Sequence, residues 1–564
     1  MSTNGDYEDT HHGLSALPTT DAPAAAGWTV PDVPLDASAH VSAAEACVYK
    51  WCEEYGDVGP RDQSLEHDLF GPEVDRGLDG IDYAKVSEVA VIQEGPTQIK
   101  PVAKFADAGL HPAMLENIAM AGYKDPTPIQ QYAIPAIVLN NDVIGIAQTG
   151  SGKTAAYMIP ILSKLMGKAK KWAGVRPDPT SQMAVTAEPL VLIIVPTREL
   201  AIQIFNEARK FCYRSMLRPA VVYGGGTMSA QRELLSRGCD ILIGTPGRLK
   251  DFVVRADRTL SLHRLKYVVI DEADEMLHDD WHDELNPILN AQQQLGAMRY
   301  VMFSATFPKA ARDLAKEYLA EDHVRFRVGR AGSTTANIRQ RIIEVRKEEK
   351  HANLLALLDA ITGVRTIIFC NSHFSVDHVE DFLFHKGYPV VSITSQRSQL
   401  DREFAMRRFR SGNAPILELP SMDYGGIEEY THRIGRTGRI GRNGLATSFF
   451  GDRDEPIADV LARTLVEAGQ DIPEFLQDYL PDSITKETVK FETESDFDET
   501  EAQAGDEADG GAGGGAWGGE AGGTSNNDTG GAFGADNGTS AGGDAWGTTT
   551  SAPVEQQPQA TAAW

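Results

Sequence analysis

Between residues 101 and 330 the chain alternates amphipathic stretches with short, continuous apolar runs. The runs are Val143–Ala147, Val191–Thr197, Pro219–Gly225, Asp240–Pro246, Tyr267–Asp274 and Tyr300–Thr306. Most are β-branched, and most end in a Gly, Pro, Ser or Thr turn. A continuous rather than alternating apolar run predicts a strand buried on both faces, as in a parallel sheet, with ligand loops at its carboxyl end. Residues 336–480 repeat the pattern more briefly, in Arg341–Val345, Arg365–Ser372, Pro389–Thr394 and Gly444–Phe450. The reading is α/β, with two parallel-sheet domains in tandem, 101–330 and 336–480. They are joined by a Gly/Ser/Thr-rich linker near Val328–Asn337.

The two ends read differently. Residues 491–564 carry 14 acidic residues and no Lys or Arg, and 17 of the 53 glycines fall in 501–550. Such a segment buries too little apolar surface to offset its ordering entropy, so a disordered acidic tail is expected. Residues 1–100 are expected to be a largely disordered acidic extension, with a short helix around Ser42–Tyr55. Trp517, Trp546 and Trp564 interrupt the C-terminal tail and suggest docking elements for a partner protein or RNA; compositional drift is the alternative.

Charge first argues against a nucleic-acid partner, since the formal net charge is −27. Its distribution reverses that inference. Residues 1–100 and 491–564 each carry −14, which leaves 101–490 at +1. No run of 18 apolar residues exists, so no membrane span is predicted. The polar, acidic N-terminus argues against a secretory or mitochondrial presequence. Five scattered cysteines argue against a disulfide framework and fit a reducing compartment. A cytoplasmic protein is expected; the basic run Lys168–Lys171 leaves nuclear shuttling open.

The chemistry sits at the strand ends. Ala147-Gln148-Thr149-Gly150-Ser151-Gly152-Lys153-Thr154 follows an apolar run and opens an amphipathic helix, the setting of a phosphate-binding loop. There Gly150 and Gly152 let backbone N–H groups curl around phosphates, Lys153 supplies positive charge, and Thr154 offers a hydroxyl to Mg²⁺. Asp271-Glu272-Ala273-Asp274 ends another apolar run. Asp271 is thereby expected beside the loop as a second Mg²⁺ contact, with Glu272 placed to deprotonate an attacking water.

This pair of motifs resembles the DEAD-box RNA helicases of superfamily 2, a family with two RecA-like domains. Further motifs appear in the family's order. Gly122–Gln130 resembles its adenine-reading segment, and Phe105 lies 17 residues before Gly122, the family's spacing for an isolated aromatic. The resemblance implies that Gln130 reads the adenine edge and that Tyr123 or Phe105 packs near the base; for Phe105 a core role is the alternative. Pro196-Thr197-Arg198, Gly224-Gly225 and Thr245-Pro246-Gly247-Arg248 resemble the RNA contacts of the first domain. Asn371, Gln399 and Arg402 resemble those of the second. Such N–H, hydroxyl and guanidinium groups suit a sugar–phosphate backbone, so recognition should be largely sequence-independent. Ser304 and Thr306 resemble the residues that couple hydrolysis to strand separation by touching the acidic loop near Asp274. In the segment His432–Arg439, Arg436 and Arg439 resemble arginine fingers that cross the cleft, with His432 beside them. The implied function is an ATP- and Mg²⁺-dependent RNA helicase, cytoplasmic and associated with RNA granules. The basic stretch Lys164–Arg176 and Asp423–Arg433 point to the Vasa-like group.

One family element is missing. Between Gln399–Arg402 and His432 the family places a strand, an Ala-Arg-Gly-x-Asp loop and another strand. Here Ala414-Pro-Ile-Leu417 runs directly into Glu418-Leu-Pro420, leaving a stub at Ile416–Leu417 where a strand of about five or six residues belongs. Either a block has been lost in splicing or at a gene boundary, or this is a true short form. For the chain as written, the expectation is ATP binding with weak RNA-stimulated hydrolysis, the behaviour of an impaired RNA scaffold.

Overall fold

In the computed structural model, the described residues are 58–71, 91–168, 172, 184–255, 258–276, 279–290, 298–307, 309–329, 338–420, 426–438 and 444–480. The expected Ser42–Tyr55 helix, the 330–337 linker region, Arg439 and the tryptophan-bearing tail lie outside them.

Eight strands form the first sheet: β1 (Val91–Glu94), β2 (Val143–Ile146), β3 (Val191–Ile194), β4 (Pro219–Val222), β5 (Ile241–Gly244), β6 (Tyr267–Ile270), β7 (Arg299–Ser304) and β8 (Val324–Val328). Their order is β1-β8-β2-β7-β6-β3-β5-β4. All pairings are parallel except β1 with β8. Strands β2 to β6 are buried at every position, as their continuous apolar runs predict. Apolar clusters cover both faces, one gathered on Tyr157, Phe211 and Phe303, the other on Phe252 and Met302.

The sequence pattern misses β1 and β8. Val-Arg-Phe-Arg-Val alternates rather than running apolar, because β8 lies near the sheet edge with one face half-exposed. The two strands are held by charge as well: Glu94 pairs with Arg325 and lies 3.5 Å from Arg327. The expected extension 1–100 is corrected twice. Its residues 91–94 belong to the sheet, and Gln63–Phe70 is a helix docked on the first domain. Asp62 caps that helix by accepting from the Ser64 and Leu65 N–H groups. Buried Glu66 accepts from Arg61 Nε at 2.7 Å and from the Tyr213 hydroxyl at 2.8 Å. Charges that look like tail composition are thus partners in a part-buried network.

The second domain carries β9 (Ile338–Glu344), β10 (Thr366–Cys370), β11 (Val390–Ser392), β12 (Ile416–Pro420) and β13 (Gly444–Phe450). They form two separate sheets, a parallel trio β10-β12-β11 and a parallel pair β13-β9. The expected stub at Ile416–Leu417 is corrected: β12 has five residues and is the central strand of the trio. Pairing on both sides satisfies its backbone, which outweighs the penalty of placing Glu418 inside. Glu418 is 0% exposed, and neither carboxylate oxygen has a hydrogen-bond partner. Burial, with Glu380 adding to it and Arg397 opposing, pushes its carboxyl up to about 9. The side chain is therefore neutral at pH 7. No described helix is long and apolar enough to cross a membrane.

Candidate nucleotide and RNA site

Strand order sorts the chemistry. Neighbours β2, β7 and β6 end in the phosphate loop, the Ser304–Thr306 loop and the acidic loop. Neighbours β3, β5 and β4 end in the Pro196–Arg198, Thr245–Arg248 and Gly224–Gly225 loops.

In the phosphate loop, Ala147 extends the β2 ladder by donating its N–H to Ser304 O at 3.0 Å. Past Gln148 and Thr149, Gly150 and Gly152 sit at φ +81° and +88°, a region open to glycine without strain. Gly152 caps the helix Lys153–Met166, and a Cβ there would lie 2.4 Å from Gln130 Nε2. Lys153 is buried, and its Nζ and the Ser151 Oγ have no hydrogen-bond partner. A cradle of left-handed glycines holding an unpaired ammonium fits the phosphates of a nucleotide.

Gln130 and Phe105 are both buried in this arrangement. Gln130 is 0% exposed. Its amide oxygen accepts from Thr127 N–H at 3.1 Å and its amide nitrogen donates to Gly152 O at 3.0 Å. Thr127 Oγ1 donates to Ser151 O at 2.8 Å. The segment therefore clamps the phosphate loop from behind. Phe105 is buried in the core and meets half-buried Tyr123 edge-on at 6.4 Å; Tyr123 in turn lies 5.9 Å from Phe211.

Asp271 follows β6, buried, with its Oδ2 accepting from the Tyr157 hydroxyl at 2.9 Å. Burial pushes the Asp271 carboxyl up, against the charge of Lys153 and the Tyr157 hydrogen bond. Glu272 is raised by burial and then by Asp271. Its backbone sits at φ +53°, a strained conformation for a non-glycine residue. Asp274 Oδ2 accepts from the Ala305 and Thr306 N–H groups and the Thr306 hydroxyl at 3.1, 2.8 and 3.0 Å; Asp274 N–H donates to Ser304 Oγ at 3.1 Å. Burial pushes Asp274 up, but the Thr306 N–H, Lys153, Ser304 and His432 outweigh it and hold the carboxyl low.

The second domain reaches this loop. His432 Nδ1 lies 2.9 Å from Glu275 Oε1, and its Nε2 lies 3.8 Å from Asp274 Oδ2. The Glu275 hydrogen bond raises His432 despite burial, and His432 lowers Glu275. Arg436 is exposed, and its charge acts on Glu272, Glu275 and His432.

On the other half of the sheet, Pro196, Arg198, Gly224, Thr245, Gly247 and Arg248 line one groove of about 520 Å³. Glycine is required there by close approach: a Cβ on Gly225, at φ +84°, would lie 2.2 Å from Arg198 Nη1. Arg248 donates through both terminal nitrogens to Gly226 O at 3.1 and 3.2 Å. Thr197 caps the helix Arg198–Phe211 by accepting from Leu200 N–H, and Pro246 opens the helix Pro246–Val254. Arg402 does not lie free for RNA: it pairs with Glu199 across the cleft at 2.7 Å. Gln399 donates to Glu403 at 3.2 Å, and Asn371 Oδ1 accepts from Arg433 at 3.1 Å.

Sequence reasoning gave no role to Tyr157 or Glu275, and read Glu199 and Arg433 only as members of the Pro196–Leu200 and His432–Arg439 motifs. Tyr157 had a signal, since it lies one helical turn beyond Lys153 and so on the same face. Glu275 had none, because its partner His432 comes from a distant segment.

The comparisons with known proteins agree with this layout. Residues 127–314 match the family model described as DEAD/DEAH box helicase, and residues 349–422 match that described as helicase conserved C-terminal domain. Among solved structures the chain is similar to S. cerevisiae Dbp5 bound to RNA and ADP BeF3. Identity is 22%, with 72% of this chain and 99% of that chain covered and a TM-score of 0.54. It is also similar to the RNA helicase Prp28 from Chaetomium thermophilum bound to ADP. There identity is 29%, over 69% of this chain and 94% of that chain, at a TM-score of 0.36. Both helicase models are thus matched in order on a fold of two RecA-like domains, the layout of a DEAD-box superfamily 2 helicase.

Proposed function

We propose that this protein hydrolyses Mg²⁺–ATP when its two domains close on RNA, and uses the cycle to open short duplexes or remodel RNA–protein complexes. The observation that carries the reading is the reach of the second domain onto the acidic loop, through the His432–Glu275 pair and the charge of Arg436 on Glu272.

Thr154 and Asp271 are the residues that would hold Mg²⁺, which supplies charge neutralisation between the phosphates. Asp271 suits this, because a buried carboxylate with one hydrogen bond to each oxygen and no ion-pair partner among the described residues gains from a cation. Lys153, with no hydrogen-bond partner in the loop, holds the terminal phosphates by charge. Glu272 accepts the proton of the attacking water; burial shifts it toward the range where a carboxylate works as a base near neutral pH. Arg436 neutralises charge that develops in the transition state, which makes hydrolysis depend on closure. Arg198, Thr245 and Arg248 grip the sugar–phosphate backbone in the groove without reading bases. Asp274, clasped by Ser304 and Thr306 and facing His432, ties the two halves of the site together.

A second reading has its own observation. The two-part sheet and the unpaired buried Glu418 leave the second domain a weak platform, which favours an ATP-binding RNA scaffold with little turnover. Phosphate release by the purified chain, with and without single-stranded RNA, separates the two. Strong stimulation by RNA excludes the scaffold; nucleotide binding with no stimulation excludes the enzyme.

A further inference from the structure

Phe374 is 73% exposed, the most exposed of the large apolar side chains among the described residues. It does not stand alone. The His373 ring lies 4.1 Å away, centroid to centroid, at 38°. Both belong to the first turn of the helix His373–His385, directly after Asn371 and the capping Ser372. Packing explains neither ring's position. The core side of that helix is supplied by Val376 and Leu383, both 0% exposed.

The rings stand at a definite edge of the second domain. Strands β10 and β11 flank β12 and run parallel to it, so the helices that follow them begin at the same edge of the sheet. One begins at His373 and the other at Gln399. Arg402, in the first turn of the second of these, meets Glu199 of the first domain at 2.7 Å. Glu199 adjoins Arg198, which lines the groove of the first domain. The groove, the Glu199–Arg402 pair, Asn371 and the two rings thus all stand where parallel strands end and the next helices begin.

We infer that His373 and Phe374 form a stacking platform for one unpaired RNA base where the strand leaves the cleft. The inference rests on the RNA reading above and deepens it. The groove holds backbone and is blind to bases, whereas a paired aromatic surface holds a base by its π-face and favours an unstacked one. An exposed phenyl with a ring behind it offers such a surface at little ordering entropy. The platform gives the protein a grip on single strand that a duplex, with its bases stacked, does not offer.

The test uses the full chain with a non-hydrolysable ATP analogue and oligoadenylate carrying 2-aminopurine at successive positions. Phe374→Ala should weaken binding by about 5- to 20-fold and abolish quenching at one position. The salt dependence should stay unchanged, because no charge is removed. Phe374→Trp should keep both affinity and quenching. Neither substitution should move the melting temperature, since the side chain packs on no core. If Phe374→Ala binds with wild-type affinity and quenching, the platform is wrong and the backbone grip stands. If the unaltered chain binds no RNA, the RNA reading falls and the platform with it.

Discussion

The two domains follow one strand-then-helix pattern, yet only the first gathers its described strands into one sheet. In the first domain β2 to β6 are buried at every position. In the second, every residue of β10 is half-exposed and the strands divide into a trio and a pair. The first domain holds its phosphate loop, acidic loop and groove on neighbouring strand ends and needs nothing else to shape them. The second contributes His432 and Arg436 to a site it does not contain. A site can thus be well formed on one side of a cleft while its completion depends on a less stable body on the other.

The largest expected effect tests that dependence. Arg436→Ala should lower RNA-stimulated phosphate release by on the order of 10³ while leaving binding of a fluorescent ATP analogue within about twofold. Lys153→Ala should abolish both. Hydrolysis that survives Arg436→Ala would remove that side chain from the reaction.

Next comes the weak platform itself. Glu418 has its folded pKa raised to about 9, whereas the unfolded chain titrates near the ordinary value of 4.5. Below that value the group is neutral in both states and its titration has no effect on stability. As pH rises toward 9 the unfolded state alone loses its proton, so the fold is destabilised by about 1.4 kcal/mol per pH unit. Glu418→Gln should therefore stabilise the second domain by on the order of 3 kcal/mol at pH 7, with an advantage that grows with pH. Denaturant melts at pH 5, 7 and 8.5 would show it; a pH-independent difference would contradict a buried neutral carboxyl.

The cleft contact is smaller and of opposite chemistry. His432 has its pKa raised by Glu275, so the stabilisation is full below about 6.5 and is lost as pH rises through the raised value. Energy transfer between dyes on the two domains should report closure falling from pH 6 to pH 8.5. His432→Ala should flatten that profile, with closure weakened by about 1–2 kcal/mol at pH 6.

Smallest is Tyr157→Phe, which removes the hydroxyl on Asp271. Hydrolysis should fall by roughly tenfold, with the protein about 1–2 kcal/mol less stable, because a buried carboxylate loses its donor. Unchanged turnover would make Tyr157 a packing residue only.

Several strands and most motif loops were legible from the chain. The apolar runs are short, continuous and closed by turn residues, so β2 to β7 announce themselves. Strand β8 does not, because a position next to the edge strand, with one face half-exposed, lets Arg325 and Arg327 alternate with apolar residues. Strand β12 reads as a stub because Glu418 looks like a surface residue, and only pairing on both sides carries it inside. The docked helix Gln63–Phe70 hides in acidic sequence because Tyr213, the partner that ties it to the domain, lies some 150 residues away. Gln130 and Arg402 show the same limit at the site. Their motif neighbours are fixed by sequence, but their hydrogen-bond and ion-pair partners, Gly152 and Glu199, are fixed by approach in space.

By itself the sequence determined which chemistry is present. The phosphate loop, the acidic quartet and the arginine-bearing turns are local, and each needs only its own residues at strand ends. How they combine is set by the packing of the sheet. In the chain the phosphate loop comes first and the acidic and Ser304–Thr306 loops last, with the three groove loops between them. The sheet order β2-β7-β6-β3-β5-β4 regroups them into a nucleotide half and an RNA half. Parallel strands joined by crossover helices need not pair in chain order, so adjacency in the sheet is set by packing and not by position in the chain.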